Sequence, residues 1–264
     1  MLYVVGTPIG NLKDITLRAL ETLKAADVIL CEDTRHSLKL LSAYEIKKPL
    51  ISYHKFNEKE AAERVIDMLK EGKEVALISD AGMPLISDPG SVLTARLREE
   101  NLPYTVIPGT TAFVPALILA GYGAPFLFYG FLPEKNKERQ AELRALSSQT
   151  ASIIFYCAPH DVEKTIKDLY AAFGERNACA VREITKIYEE AEHFTLSQGV
   201  KEPKGEYVLI VSGAAKTDEF ASLSEKEHIQ KYLDEGLSKM DAIKRVAKER
   251  GVAKSSLYHY TVEE

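Results

Sequence analysis

The chain has 264 residues, of which 45% are hydrophobic and 28% charged, and its formal net charge is −5 at pH 7. This length allows two small domains with their own cores, and the acidic balance argues against a protein that wraps nucleic acid over a uniformly basic surface. No apolar stretch has transmembrane length, no signal segment opens the chain, and the scattered cysteines Cys31, Cys157 and Cys179 lack ligand-like pairing with histidine, so we expect a cytoplasmic protein with reduced thiols, no membrane and no metal.

The first predicted elements form the start of a βαβ unit. Residues 2–5 are apolar and are stopped by Gly6, residues 15–24 have the spacing of an amphipathic helix, and residues 28–31 form the next predicted strand. The first strand does not alternate apolar and polar residues, which favours a strand covered on both faces.

The same order of elements repeats further along the chain. Asn57 with Glu60 resembles a capping arrangement before an apolar helix that Gly72 ends, and a strand follows at residues 75–78. A helix at residues 91–100, a strand at 104–107 and an apolar helix through residue 120 complete this part. We expect an N-terminal α/β domain at residues 1–116.

Two loops in this domain directly follow predicted strands. They are Thr7-Pro8-Ile9-Gly10-Asn11-Leu12 and the stretch from Ser79 to Gly90. The carboxyl edge of a parallel sheet is where α/β folds bind ligands, and glycines let the backbone approach a ligand closely. The loops therefore predict a cradle for a small molecule, with simple turn punctuation as the alternative.

A second α/β domain is predicted at residues 117–214. Strands are expected at 152–156, 178–182 and 207–211 and a helix at 161–173, which indicates a mixed sheet. The charged stretch at 133–139 fits either a connector or a surface loop. The cleft between the two sheets is the default binding site.

The last part of the chain, residues 215–264, is predicted to be a small helical extension after a polar linker at 214–224. Its pattern resembles a helix-turn-helix. Residues 236–262 carry six basic and two acidic residues, a local net charge of +4. This local charge predicts a nucleic-acid contact through Lys244, Arg245 and Lys248, and the alternative is a solvated helix pair that packs on its own domain.

Six motifs together resemble a known family. They are Gly6-Thr7-Pro8-Ile9-Gly10-Asn11-Leu12, Cys31-Glu32-Asp33-Thr34-Arg35, Ser79-Asp80-Ala81-Gly82-Met83-Pro84 with Ser87-Asp88-Pro89-Gly90, Pro108-Gly109, Arg182-Glu183-Ile184-Thr185-Lys186 and Lys204-Gly205-Glu206-Tyr207. The chain is similar over nearly its full length to the tetrapyrrole methylase superfamily, and more closely to its ribosomal RNA branch, whose members 2′-O-methylate a cytidine of the small-subunit RNA.

The resemblance implies an S-adenosylmethionine enzyme with two α/β domains, each with a mixed or parallel sheet, the cofactor in the cleft between them and a homodimeric assembly. The first loop lacks the G-x-G-x-x-G fingerprint of dinucleotide sites, which is consistent with this family. Asp80 either receives a cofactor hydroxyl or amine or only caps a turn. The residues that we assign to the cofactor are Pro8, Asp80, Ala81, Gly82, Met83, Ile86, Thr110, Thr111, Tyr156 and Cys157.

Methylation of a ribose hydroxyl needs a group that takes the proton or steadies the developing oxyanion. The candidates for this role are Lys186, Glu183, Asp33 and Glu32. Arg35, His36 and Arg182 suit contacts to RNA phosphates, because cations such as guanidinium bind phosphate oxygens well. The alternative for all seven is an ordinary ion-pair network.

The resemblance implies small-subunit ribosomal RNA, or the 30S particle, as the partner. Two other functions remain open at this point. One is a C-methyltransferase of tetrapyrroles such as precorrins, which does not need a basic helical tail. The other is a non-enzymatic regulator that senses a ligand and binds nucleic acid, which leaves the clusters at 32–36 and 182–186 without a role.

Overall fold

The computed structural model describes residues 1–202, 204–215 and 223–261. The chain divides into two compact units, Met1–Ala214 and Ala215–Glu264. The linker predicted at 214–224 lies largely outside the described residues. Among the residues described, no helix has the length and apolar character needed to cross a membrane.

Two sheets form the first unit, each with five strands in the described part of the chain. The first sheet has the order β3-β2-β4-β1-β5 and is parallel. Its strands are β1 (Leu2–Val5), β2 (Val28–Cys31), β3 (Leu50–Ser52), β4 (Val75–Leu77) and β5 (Tyr104–Ile107). The second sheet is mixed and has the order β6-β7-β10-β8-β9. Its strands are β6 (Phe126–Phe131), β7 (Ser152–Cys157), β8 (Asn177–Arg182), β9 (Glu190–Thr195) and β10 (Tyr207–Val211). The predicted α/β fold with one parallel and one mixed sheet is confirmed.

Helices connect the strands of both sheets. Those of the first unit are α1 (Leu17–Ala25), α2 (Thr34–Ala43), α3 (Glu58–Lys70), α4 (Ser91–Glu99), α5 (Phe113–Leu119), α6 (Asn136–Leu146) and α7 (Val162–Phe173). The central strands β1, β2 and β4 of the first sheet are buried on both faces because α3 and α4 pack on one side and α1 and α2 on the other. The absence of alternation in residues 2–5 has this physical cause.

Helix α5 packs on the second sheet. Its buried residues Ala116 and Leu117 share a hydrophobic cluster with Ile154 of β7 and Ile210 of β10. The domain boundary predicted at residue 116 falls inside this helix. An apolar helix at the end of the first α/β pattern therefore covers a face of the second sheet.

The sequence patterns missed α2, α6, β3, β6 and β9. The stretch at 133–139, left open between a connector and a loop, contains the start of α6, whose Arg139 is buried. Asn57 is the N-cap residue of α3, as predicted, but its side chain makes no capping hydrogen bond. It accepts a hydrogen bond from His54 N at 2.8 Å and donates one to Ser52 O at 2.9 Å, and these bonds close the turn after β3.

The second unit contains α8 (Glu225–Asp234), α9 (Lys239–Arg250) and a 3-10 helix at Lys254–Thr261. Helix α8 begins with a capping box in which Ser224 and Glu227 exchange hydrogen bonds. Helix α9 begins at the N-cap Ser238 and ends at Gly251, which has the left-handed conformation. Together α8, α9 and the 3-10 helix bury a small core of their own. The helical extension is confirmed, and α8 is an additional helix. The resemblance to a helix-turn-helix stays a prediction, and its second helix is the 3-10 helix.

Candidate functional site

The two glycine-containing loops of the first sheet are joined edge to edge. Thr7 N donates to Gly82 O at 2.8 Å, and Gly82 N donates to Thr7 O at 3.2 Å. The Thr7 hydroxyl adds a bond to Ser79 O at 3.2 Å, and Thr110 Oγ1 donates to Thr7 O at 2.6 Å. Three loops, after β1, β4 and β5, therefore meet at the carboxyl edge of the first sheet.

Gly6 allows this meeting of the loops. A Cβ at Gly6 would lie 2.6 Å from Gly109 Cα and 2.6 Å from Met83 Sδ. Such distances are far below van der Waals contact, so the backbones of the β1 and β5 loops approach as closely as glycine permits.

A cavity of about 310 Å³ lies beside these loops and extends to the second sheet. We call it the central cavity. Most of its wall is apolar, and a few polar groups converge on it, as in sites for small molecules. It is lined by Ile9, Asp80, Ala81, Gly82, Met83, Ile86, Ser87, Asp88, Thr111, Ala112, Phe131, Tyr156, Cys157, Ala158, Pro159, Val181, Ile184, Lys186, Glu206, Tyr207 and Val208.

Most residues assigned to the cofactor from sequence line this cavity. They are Asp80, Ala81, Gly82, Met83, Ile86, Thr111, Tyr156 and Cys157. Pro8 and Thr110 are not among the lining residues, and the Thr110 hydroxyl is engaged with Thr7 O. The assignment of these residues to a cofactor stays a prediction.

Aromatic rings close the side of the cavity formed by the second sheet. Tyr156 lies edge-on to Phe128 and Phe131, with ring centroids 5.0 and 5.4 Å apart. Burial raises the pKa of Tyr156 to about 12, and the charge of Asp88 adds to the effect. The phenol is therefore uncharged at neutral pH.

Lys186 reaches the cavity from the loop after β8, and two carboxylates surround its amine. Its Nζ donates to Glu206 Oε2 at 2.7 Å and to Glu183 Oε1 at 3.3 Å. Burial alone lowers the pKa of Lys186, but the hydrogen bonds and charges of the two glutamates outweigh burial and raise it. Lys186 therefore stays protonated at neutral pH, which suits an electrostatic role and not that of a proton acceptor.

Glu183 supports this lysine from outside the cavity wall. Burial raises its pKa, but the Glu206 N–H, which donates to its Oε1 at 2.9 Å, and the Lys186 amine lower it further, so the net shift is downward. Glu183 itself has a positive φ of 49°. A carboxylate with this many partners is a poor proton acceptor.

The cluster after β2 lies outside the cavity wall. Asp33 is the N-cap of α2, where its Oδ1 accepts from Arg35 N at 2.8 Å, and its other oxygen pairs with the Arg35 guanidinium. The Arg35 hydrogen bonds lower the pKa of Asp33 to about 2. Arg35 is 88% exposed, and His36 is also exposed. Burial, with the charge of Asp80, raises the pKa of Glu32.

Arg182 and Lys186 belong to one motif but line different depressions of the surface. Val181, the neighbour of Arg182, lines the central cavity, whereas Arg182 lies in a shallow depression where it pairs with Glu190 at 2.7 Å and Glu202 at 3.3 Å. Successive side chains of a strand point to opposite faces, so Val181 and Arg182 do not share one wall.

The cations predicted in the tail are exposed on α9. Lys244 pairs with Asp241 at 3.0 Å, and Arg245 pairs with Glu249 at 3.2 Å. Lys248 is exposed on the same helix.

Four polar residues of the cavity were not selected from sequence: Ser87, Asp88, Glu206 and Tyr207. The sequence contains a signal for two of them, because Ser87 and Asp88 repeat the Ser-Asp pair of residues 79–80 within one loop. In the described part of the chain, no group of three or more His, Cys, Asp or Glu residues is suited to hold a metal ion.

Comparison with known proteins places this geometry in a family. Residues 1–198 match the model of the tetrapyrrole (corrin/porphyrin) methylases. Ribosomal RNA small subunit methyltransferase I of Bacillus subtilis is 41% identical, with 98% of this chain and 92% of that protein covered. The protein of the same name from Halalkalibacterium halodurans is 43% identical, with 98% and 93% covered.

A solved structure shares the fold at lower identity. Uroporphyrin-III C-methyltransferase from Thermus thermophilus, complexed with S-adenosylhomocysteine, is 19% identical and superimposes with a TM-score of 0.56. The match covers 80% of this chain and 96% of that chain. At this identity the likeness concerns the fold.

Proposed function

The chain belongs to the tetrapyrrole (corrin/porphyrin) methylase family, in the branch of ribosomal RNA small subunit methyltransferase I, and we propose that it methylates the ribose 2′-oxygen of a cytidine in small-subunit ribosomal RNA. The methyl donor is S-adenosylmethionine. The observation that carries the proposal is the near-full-length match to these RNA methyltransferases, which includes the loops around the central cavity.

The central cavity fits this donor in its chemistry. S-adenosylmethionine has a flat adenine ring, ribose hydroxyls and a positive sulfonium. Tyr156, Ile184 and Val208 offer apolar surface, the loop at 80–83 offers main-chain groups, and the Asp80 carboxylate is an acceptor for a hydroxyl or amine. The residues proposed to hold the donor are the eight predicted from sequence that line the cavity.

When bound, the donor supplies an electrophilic methyl group on a sulfonium. The sulfonium charge disappears during transfer, so a strongly anionic pocket would stabilise the starting state and slow the reaction. Most of the cavity wall is apolar, and the Lys186 ammonium offsets the charge of Glu206, one of the three carboxylates on that wall. These groups therefore act mainly by orienting the reactants and excluding water.

Among the described residues that line the cavity, Lys186 is the cation, and we assign it to the RNA. Its ammonium is suited to bind a phosphate oxygen beside the target nucleotide or to stabilise negative charge on the attacking 2′-oxygen. Arg35 and His36 at the exposed start of α2 are proposed to contact the RNA backbone, and so are Lys244, Arg245 and Lys248 of α9. Arg182 already pairs with two glutamates and is assigned a weaker contact.

A homodimer is the proposed assembly, and the cytoplasm is the proposed location. Helix α5 exposes Val114, Ile118 and Leu119, and Phe126 lies near its start. An exposed apolar patch of this kind favours burial against another protein surface, and a second copy is the commonest partner. Sedimentation analysis of Ile118→Glu tests this assembly: a dimeric wild type and a monomeric variant support it, and a monomeric wild type contradicts it.

The experiment that tests the function is methyl transfer from labelled S-adenosylmethionine. The protein is incubated with assembled 30S particles and, separately, with free small-subunit RNA, and the RNA is digested to nucleosides. We expect label in 2′-O-methylcytidine, with strongly reduced transfer by Asp80→Ala and Lys186→Ala. Comparing the two arms determines whether the particle or the free RNA is the substrate.

Two results would contradict the proposal. Label on an added tetrapyrrole precursor but not on RNA would indicate the carbon methyltransferase. RNA binding without any methyl transfer would indicate a non-enzymatic regulator.

A further inference from the structure

Three carboxylates line the central cavity within the described residues: Asp80, Asp88 and Glu206. Two of them are engaged. Asp80 Oδ1 accepts a hydrogen bond from Asp33 N at 3.3 Å, and Glu206 Oε2 accepts one from the Lys186 ammonium at 2.7 Å. Asp88 has no ion pair among the described residues, and the nearby Ser79 hydroxyl donates to Ala81 O at 3.4 Å and to Gly82 O at 3.3 Å.

The groups that face Asp88 come from several elements and are mainly acidic or neutral. Glu32 follows β2, Asp80 follows β4, and the Tyr156 phenol belongs to β7. Burial raises the pKa of Asp88 to about 6, the charges of Glu32 and Asp80 add to the rise, and the Ser79 hydroxyl opposes it. A carboxylate in this range is ionised at neutral pH and still holds a proton well, which suits a general base.

The loop that carries Asp88 is firmly held. Glu58 of α3 accepts a hydrogen bond from Gly90 N at 2.8 Å, which ties the loop to the helix two residues after Asp88. The preceding Ser87 has a positive φ of 69°, and its hydroxyl lies so close to Gly130 that a Cβ there would be 2.9 Å away. These contacts fix the loop against α3 and against β6 of the second sheet.

We propose that Asp88 is the general base that takes the proton from the ribose 2′-hydroxyl. This inference rests on the proposed function. The 2′-oxygen forms a bond to the methyl carbon while the carbon–sulfur bond of the sulfonium donor breaks, and the electron pair of that bond stays on sulfur. The hydroxyl proton moves to an Asp88 carboxylate oxygen, so the positive sulfonium and the negative carboxylate both become neutral.

The four candidates selected from sequence fit this step less well. Lys186 is held protonated, and Glu183 and Asp33 are carboxylates whose pKa values are lowered by their partners. Glu32 lies outside the cavity wall and acts on Asp88 through its charge. Asp88 combines a place on the wall, a carboxylate without an ion pair in the described part of the chain, and a neighbourhood that favours proton uptake.

Single-turnover methyl transfer to the RNA substrate across pH 5 to 8 tests the proposal. The variants are Asp88→Asn, Asp88→Glu, Glu32→Gln and, as a matched control, Asp67→Asn at an exposed position of α3. Calorimetry with S-adenosylhomocysteine, which lacks the sulfonium charge and has no methyl group to transfer, measures the affinity of the cavity for the cofactor product. Normal binding also shows that the variant is folded. Carbon-13 NMR of labelled aspartate carboxyls, with Asp88→Asn to assign the signal, follows the titration of Asp88 directly.

We expect Asp88→Asn to lower the rate by about 10²- to 10⁴-fold and to lose the rise of rate with pH, while S-adenosylhomocysteine binds normally. Asp88→Glu should recover part of the rate. Glu32→Gln removes a negative charge that raises the pKa of Asp88, so the rise of the rate with pH should move to lower pH. Asp67→Asn should match the wild type.

An Asp88→Asn variant that keeps its rate within about threefold of wild type, or keeps the same pH dependence, would overturn the proposal. A wild-type protein that transfers no methyl to RNA would overturn the proposed function and this inference with it. The two failures are distinguishable, because only the first leaves the wild type active.

Discussion

The side chain of Lys186 lies across the backbone of Gly10. A Cβ at Gly10 would be 2.7 Å from Lys186 Cγ and 2.7 Å from its Cε. Gly10 follows a strand of the first sheet and Lys186 follows a strand of the second, so this contact joins the two halves of the unit at the cavity. Because glycine has no side chain, Lys186 can lie directly against the backbone at position 10.

Replacing Gly10 with alanine should displace Lys186 from the cavity wall. We expect destabilisation by about 1 to 3 kcal/mol from overpacking, and a fall in methyl transfer of about tenfold or more because a small misplacement of a reacting group is costly. Urea unfolding and single-turnover rates measure both effects. Gly123→Ala is the control, since a Cβ there meets no atom within 4 Å. Equal unfolding free energies and equal methyl-transfer rates of Gly10→Ala and Gly123→Ala would contradict this role of the contact.

Because the pKa of Asp88 is raised in the folded protein, its contribution to the free energy of unfolding should depend on pH. A carboxyl whose folded pKa of about 6 exceeds its ordinary value of 3.8 contributes stability that is present below pH 4 and is lost as the pH rises through 6. Asp88→Asn should therefore be more stable than wild type at pH 8 by about 1 kcal/mol, after allowance for solvent screening. The gain should vanish near pH 4. Unfolding free energies at the two pH values test this, and a gain that grows toward acid would contradict it.

The buried Arg139 should hold α6 on α7. Its Nε donates to Asp168 at 2.7 Å, and its two terminal nitrogens donate to Asp161 at 3.0 Å and to Thr165 at 2.7 Å. Arg139→Met should destabilise the protein by about 3 to 5 kcal/mol, because it leaves partly buried carboxylates without their partner. Arg144→Met, at an exposed position of the same helix, should change unfolding little. Similar unfolding midpoints for both variants would show that the cluster contributes little.

The C-terminal unit should supply affinity for RNA and not for the methyl donor. A chain ending at Ala214 should bind small-subunit RNA more weakly, with a salt dependence that is shallower by about 0.7 to 0.9 for each lost phosphate contact. Its calorimetric affinity for S-adenosylhomocysteine should be unchanged. RNA affinity measured at several salt concentrations decides this, and an unchanged slope would remove the unit from the RNA-binding surface.

The fold was largely accessible from sequence where strands are wholly buried. Residues 2–5, 28–31 and 207–211 are continuous apolar runs, and their predicted limits match the structure. The elements that were missed have weaker signals. Strand β3 is three residues long and only partly buried, and β9 carries charged residues because it lies at the edge of its sheet. Helix α6 buries an arginine where an apolar residue is expected.

The site could be predicted from sequence only in part. A motif gives the order of residues along the chain but not the face of the sheet on which each side chain lies. Val181 and Arg182 are adjacent in one motif, yet strand alternation places one at the cavity and the other in a separate depression. Glu206 was part of a recognised motif, but its bond to Lys186 depends on the pairing of β8 with β10. The environment of Asp88 likewise depends on Glu32 from another segment and on Asp80 at the start of its own loop.

Calorimetric titration with S-adenosylhomocysteine tests most directly whether the central cavity holds the methyl donor. Ala112→Trp fills the cavity, and Ala145→Trp places the same side chain at an exposed position of α6. We predict one binding site per chain in the wild type and in Ala145→Trp, and no detectable binding in folded Ala112→Trp. Absence of heat with the folded wild type, or equal affinity of Ala112→Trp and Ala145→Trp, would contradict the account.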